Sequence, residues 1–219
     1  ILGDNDHENN PTMRNPVDSF RKKFTLSGKV KHARLYMTAC GLYETYLNGE
    51  KVGDQVFAPG ATAFQKRAHY QVYDVTEMFS QKTNSWTIEL ADGFYASKTG
   101  VFGKAKTYGH EPKVMGQLEI VYEDGTVEDV CTDKKFEWSN DGPIRLADMK
   151  DGEIVDYSCT PSYSGNARTT QYDGILCASN NVPVREQERF ANPTIIKCPD
   201  GHTVLDFHQN IAGYVDTTL

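Results

Sequence analysis

GLYETYLNGEKVGDQVFAPGATAFQKRAHYQVYDVT, residues Gly41 to Thr76, carries the signals of an antiparallel sheet and of a side-chain-rich loop in one run. Asn48-Gly49 separates LYETYL from EKVGDQVF. Both residues tolerate the positive φ of a tight hairpin turn, so the two runs are expected to pair antiparallel. Pro59-Gly60 then breaks the chain into a loop. Lys66, Arg67, His69, Tyr70 and Tyr73 follow, a dense mix of donors and aromatic faces. Asp74 or Thr76 is placed to cap a helical turn at Glu77-Met78-Phe79.

The runs on either side repeat the period-2 alternation. Phe20, Lys22 and Phe24 oppose Arg21, Lys23 and Thr25, which predicts an edge-type strand. Ala33, Leu35, Met37 and Ala39 alternate with polar neighbours, as do Trp86, Ile88 and Leu90, and Val114, Leu118, Ile120 and Tyr122. Glu123-Asp124-Gly125-Thr126 supplies a further hairpin turn. Phe136–Ser139 and Ile144–Ala147 add short strands. Many short strands, Gly/Asp/Asn turns and almost no amphipathic helix predict an all-β jelly-roll or sandwich. Residues 1–19 read as an extended, polar lead-in, and Asp4, Asp6 and Glu8 within it lack the Gly and bidentate Glu of a calcium loop. Residues 20–157 read as the first domain and 158–181, weakly hydrophobic and turn-forming, as a connector. Residues 182–219 read as the start of a second β-sandwich, in which Thr194–Lys197 pairs with Thr203–Phe207.

Composition narrows the function. The chain has 219 residues, enough for one large domain with a self-sufficient core, and a net charge of −7. A negative balance with no basic block apart from Arg21-Lys22-Lys23 argues against nucleic acid, and no apolar run of membrane-spanning length exists. Five cysteines at 40, 131, 159, 177 and 198 show no metal-ligand spacing. They read as free, mostly buried thiols, pointing to a reducing compartment such as the cytoplasm. No nucleophile elbow, zinc-protease or phosphate-loop motif is present. The densest acidic stretch, Asp148-Met149-Lys150-Asp151-Gly152-Glu153, follows a Gly-Pro turn and reads as a turn-capping loop rather than a pair of hydrolytic acids. Residues 96–113 make a long Gly/Lys-rich loop. Before it stands Asp92-Gly93-Phe94-Tyr95. A carboxylate and two aromatic planes beside a glycine suit a sugar, whose apolar CH face stacks on a ring while its hydroxyls bond to the acid. Phe94 as a core residue and Tyr95 as an edge residue is the competing reading.

Taken in order, GLYETYLNGEKVGD, FAPGATAFQKRAHYQVYDVT, ADGFYASKTGVFG, DMKDGEIVDY and LDFHQNIAGYV resemble the N-terminal β-sandwich region of bacterial α-L-rhamnosidases of glycoside hydrolase family 78. The resemblance covers Phe20–Tyr157 and Val182–Val215. It implies a jelly-roll, galactose-binding-like module followed by the start of a second β-sandwich. It also implies a parent enzyme whose inverting hydrolysis is performed by a following (α/α)6 barrel, absent from this sequence. The fragment itself is then expected to be inactive. Its expected partners are L-rhamnose-containing glycosides and the parent's own barrel, and the expected sugar site is Asp92, Phe94, Tyr95, Arg67 and Tyr43. Some relatives of the module bind L-rhamnose with calcium. Two departures bear on this: Phe94 stands where the family pattern has Trp, and Ala63 precedes Phe64 where an Asp is common. No calcium ligand set is therefore expected, and no other cofactor. The reading from another class is a protein-interaction β-sandwich that binds no sugar.

Overall fold

In the computed structural model, residues 1–3, 15–79, 82–99 and 104–216 are described. The chain divides into two units, Ile1–Val184 and Arg185–Leu219. In the first, the strands are β1 (Asp18–Thr25), β2 (Val30–Cys40), β3 (Leu42–Leu47), β4 (Glu50–Lys51), β5 (Arg67–Asp74) and β6 (Thr83–Ala91). A single helical turn, α1 (Gly93–Ala96), separates these from β7 (Lys113–Tyr122), β8 (Val127–Cys131) and β9 (Glu137–Ser139). The last strands are β10 (Ile144–Asp148), β11 (Gly152–Val155), β12 (Gly165–Asn166) and β13 (Ile175–Ala178). A six-stranded sheet runs β12-β9-β1-β6-β3-β4 and a five-stranded sheet β13-β5-β2-β7-β8, with β10 and β11 forming a separate hairpin. Every pairing is antiparallel except that of β13 with β5. The two sheets face each other as a jelly-roll β-sandwich.

The alternation of side chains builds that core. Phe20, Tyr43, Leu47, Trp86, Ile88 and Leu90 come from one sheet and Ala33, Leu35, Met37, Val114, Leu118 and Ile120 from the other, all buried together. A fully buried Leu, Ile or Phe contributes about 1.5–3 kcal/mol relative to exposure. Trp86 lies at the centre, wholly buried, edge-on to Phe136 at 5.3 Å. Its indole N–H donates to Thr45 Oγ1 at 2.8 Å, so the large ring leaves no polar atom unpaired. Gly116 makes room for it. A Cβ there would fall 2.4 Å from Met37 Sδ and 2.7 Å from the indole.

The Asn48-Gly49 turn forms as expected, with φ of 54° and 83°. The second arm is shorter than EKVGDQVF suggests, because pairing stops after Lys51. Val52 N–H still reaches Thr45 O, but Gly53 then turns tightly against the Tyr73 ring. Asp74 Oδ1 accepts from both the N–H and the hydroxyl of Thr76, and a 3-10 turn follows at Thr76–Met78.

Other expectations are corrected. The Phe20 strand is not at an edge: β1 lies between β9 and β6, and Lys22, on its inward face, extends its ammonium to Cys131 O and Asp133. The lead-in is not wholly solvated, since Ile1 and Leu2 are buried and Leu2 exchanges both backbone bonds with Arg168. Asp4, Asp6 and Glu8 lie outside the described residues. The stretch 158–181 supplies an edge strand to each sheet, β12 on β9 and β13 on β5. The cysteines are unpaired, but Cys40 alone among them is buried and Cys131 is exposed. Among the described residues no helix is long and apolar enough to cross a membrane. The second unit contains a hairpin of β14 (Thr194–Lys197) and β15 (Thr203–Asp206) in the register Thr194↔Asp206 to Lys197↔Thr203.

Candidate functional site

At one end of the sandwich the chain leaves β6 and turns at once into α1. Gly93 is required there. Its φ is +50°, and a Cβ would fall 2.6 Å from the backbone nitrogen of Leu42. The turn therefore lies flat against the junction of β2 and β3. It closes through Ala96 N–H to Asp92 O and Ser97 N–H to Gly93 O, both at 3.0 Å. Phe94 and Tyr95 sit half-buried on this turn.

Phe64, from the loop before β5, organises the aromatic side chains. It is buried, with the edges of Tyr95 and Tyr108 against it at 5.5 and 5.3 Å between ring centres. Tyr172 donates its hydroxyl to Phe64 O at 2.7 Å. The loop after α1 returns to it through Lys106 N–H to Ala96 O and Tyr108 N–H to Tyr95 O. Burial raises the Tyr95 hydroxyl, with further contributions from Cys40 and Glu111. Burial pushes Tyr172 up to about 12. Both hydroxyls are therefore neutral donors at physiological pH.

Asp92 is the charged group of this rim. It is half-buried, and its side chain makes no capping hydrogen bond to α1. Burial, and then the charge of Asp148, raise it to about 6, with Lys106 pulling the other way. At neutral pH it is a largely ionised, partly desolvated carboxylate, an acceptor for hydroxyl groups. Arg67 opens β5, three residues beyond Phe64. It is exposed, with its Nε on Thr62 Oγ1 at 3.2 Å.

The sequence-predicted set thus divides. Asp92, Phe94 and Tyr95 share one turn, and Arg67 stands three residues beyond Phe64, whose ring meets Tyr95, with no bond of its own to the turn among the described residues. Tyr43 does not belong. It is 5% exposed, and its hydroxyl is taken by Gln71 at 2.9 Å and Tyr73 at 3.0 Å, because its place on β3 points it into the core. Phe64, Tyr108 and Tyr172 were missed. Phe64 stands next to the Lys66-Arg67 pair, and Tyr108 lies in the long Gly/Lys-rich loop, so both lay near recognised signals. Tyr172 sits in a stretch without strand periodicity.

The acidic hairpin is committed to structure. Burial works to raise Asp148, but backbone N–H groups of Asp151, Lys150 and Lys98 outweigh it and hold the carboxyl below its usual range. Asp151 is paired with Lys98 at 2.7 Å. Among the described residues no three of His, Cys, Asp and Glu gather to hold a metal, and Ala63 offers no side-chain oxygen beside Phe64.

Comparison with known proteins places these features in a family. The family model for the alpha-L-rhamnosidase N-terminal domain matches residues 28–190. An alpha-L-rhamnosidase of Streptomyces avermitilis is 35% identical over 216 residues, covering 91% of this chain and 20% of that protein. The crystal structure of Streptomyces avermitilis alpha-L-rhamnosidase complexed with L-rhamnose superposes with a TM-score of 0.83 at 34% identity, over 91% of this chain and 20% of the other. The native Aspergillus terreus enzyme gives 0.84 at 30% identity, over 91% and 24%. The chain spans about one fifth of the length of the curated relatives it matches most extensively. On the residues matched and the fold shared, this chain belongs to the alpha-L-rhamnosidase N-terminal domain family.

Proposed function

We propose that this chain is the non-catalytic accessory region of an α-L-rhamnosidase that removes terminal α-L-rhamnose from glycosides. In this reading it is a scaffold for the parent's catalytic barrel and a carbohydrate-binding module. The observation that carries the sugar-binding part is the rim of Asp92, Phe94, Tyr95 and Arg67. A partly buried carboxylate and two aromatic side chains are held there by a single turn, and an exposed guanidinium follows three residues beyond Phe64. Ring faces take the CH side of a pyranose, and the charged groups take its hydroxyls. The non-catalytic part is supported by Asp148 and Asp151 of the β10–β11 hairpin, which are engaged by backbone donors and by Lys98 respectively.

Because a relative was crystallised with L-rhamnose, that sugar is the first to try. Calorimetric titration of the 219-residue chain with L-rhamnose should show millimolar or tighter binding that is unchanged by EDTA and lost in Phe94→Ala. An aryl α-L-rhamnoside should not be turned over. Turnover that disappears in Asp151→Ala would reverse the non-catalytic reading, and absence of binding would leave the scaffold role alone.

A further inference from the structure

The outer face of the five-stranded sheet carries a groove that the loop-end rim does not use. Tyr36 and Thr38 of β2, Tyr70 of β5, Met115 and Gln117 of β7 and Leu176 of β13 line a hollow of about 210 Å3, with Met37 at its floor. The rings of Tyr36 and Tyr70 stand 6.4 Å apart at 58°, open to solvent on one side. A second hollow of about 340 Å3 shares Thr38, Met115 and Leu176 with the first and continues to Tyr172. Tyr172 is the residue whose hydroxyl holds Phe64 at the loop end. The two hollows therefore run across four strands as far as Tyr172, whose hydroxyl bonds to Phe64 O, and Phe64 packs on Tyr95 of the rim.

Its chemistry is specific. The smaller hollow is lined by no charged side chain. Among the described residues no protein group bonds to the Tyr36 hydroxyl, the Tyr70 hydroxyl or the Gln117 side-chain amide, which together offer both donors and acceptors over an apolar floor. The larger hollow adds Lys113 and the N-terminal Ile1 at its far end, so the smaller one suits an uncharged ligand, with apolar faces for the rings and hydroxyls for the amide and phenols. The larger hollow is within the size that ligand pockets reach, about 300–1,000 Å3, and the smaller extends it.

We infer that this groove is a subsite for the uncharged sugar units lying behind the terminal residue of a longer glycan. The inference rests on the sugar-binding reading of the rim for the direction in which the glycan lies, while its own recognition groups are separate. The test uses the 219-residue chain, 15N-labelled, with three probes: L-rhamnose, a neutral rhamnose-capped tetrasaccharide and trigalacturonate. The tetrasaccharide should bind about tenfold more tightly than L-rhamnose, the gain two ring contacts supply. It should shift the amides of Tyr36, Tyr70 and Gln117, and trigalacturonate should not. Tyr36→Ala and Tyr70→Ala should each remove most of that gain while leaving L-rhamnose affinity unchanged, and Gln117→Leu should reproduce the effect without removing a ring. If L-rhamnose binds but the tetrasaccharide gains nothing, the groove inference fails and the rim stands. If L-rhamnose does not bind but the tetrasaccharide shifts these three amides, the groove stands and the rim reading fails. Concentration-dependent dimerisation abolished by Tyr70→Ala, with no response to the tetrasaccharide, would make the face a contact between copies and overturn the inference.

Discussion

Gly116 and Asp92 show how single residues divide between fold and function. Gly116 faces the core where Trp86 crosses the sandwich. Adding one methyl there drives a Cβ into the indole and the Met37 thioether. The thioether can swing aside but the wholly buried indole cannot, so Gly116→Ala should cost about 1–3 kcal/mol, read as a lower urea midpoint at unchanged slope. Asp92 runs the other way. Its folded pKa of about 6 lies above the 3.8 of a free side chain, so the folded chain holds the proton more tightly than the unfolded chain. The carboxyl therefore costs no stability below the unfolded pKa. Its cost grows as pH rises from there and is complete above the folded value. Asp92→Asn should raise stability by about 2–3 kcal/mol at pH 7.5 and leave it unchanged at pH 3, measured by urea unfolding at the two pH values. The same variant should lose L-rhamnose binding, and wild-type affinity should fall as pH drops through 6, where the acceptor becomes protonated.

Among the elements, the β3–β4 hairpin is held by more than its turn. Asn48 adopts the left-handed conformation the turn needs, and its side chain also donates to Met78 O and Asn84 Oδ1 and accepts from Ser85 N–H. Asn48→Ala loses the local preference and all three bonds, an expected loss of about 2–3 kcal/mol readable in the thermal midpoint. Asn48→Gly, which keeps the backbone freedom, should recover part of it. The turn was legible because Asn-Gly between alternating runs admits few other conformations, and the inward faces of β2, β6 and β7 were legible from strict period-2 spacing. The attachment of β13 was not. Ile175–Ala178 has no alternation, and its parallel pairing to β5 joins residues more than a hundred positions apart, which no local pattern encodes. Tyr172 was hidden for the same reason. Tyr43 was misread because strand parity, counted from Leu42, was not applied: the buried positions of β3 are Tyr43, Thr45 and Leu47.

For the whole molecule, the account is of a jelly-roll sandwich whose interior is built by alternation and whose function is confined to the surface the alternation leaves free. Legibility follows that division. Core positions answer to a period and were read directly, whereas the rim is assembled by loop segments 57–66, 92–99, 104–112 and 169–174, whose meeting depends on tertiary contacts such as Phe64 with Tyr95 and Tyr108. Asp92, Phe94 and Tyr95 could be found because they are contiguous. The central claim, that a family of rhamnosidase N-terminal domains is represented here by a sugar-binding accessory region, is tested most directly by mapping L-rhamnose onto the 15N-labelled chain by NMR at neutral pH. The account predicts saturable shifts at millimolar sugar confined to the amides around 64–67, 92–95 and 108. An unperturbed spectrum, or shifts scattered away from that rim, would contradict it.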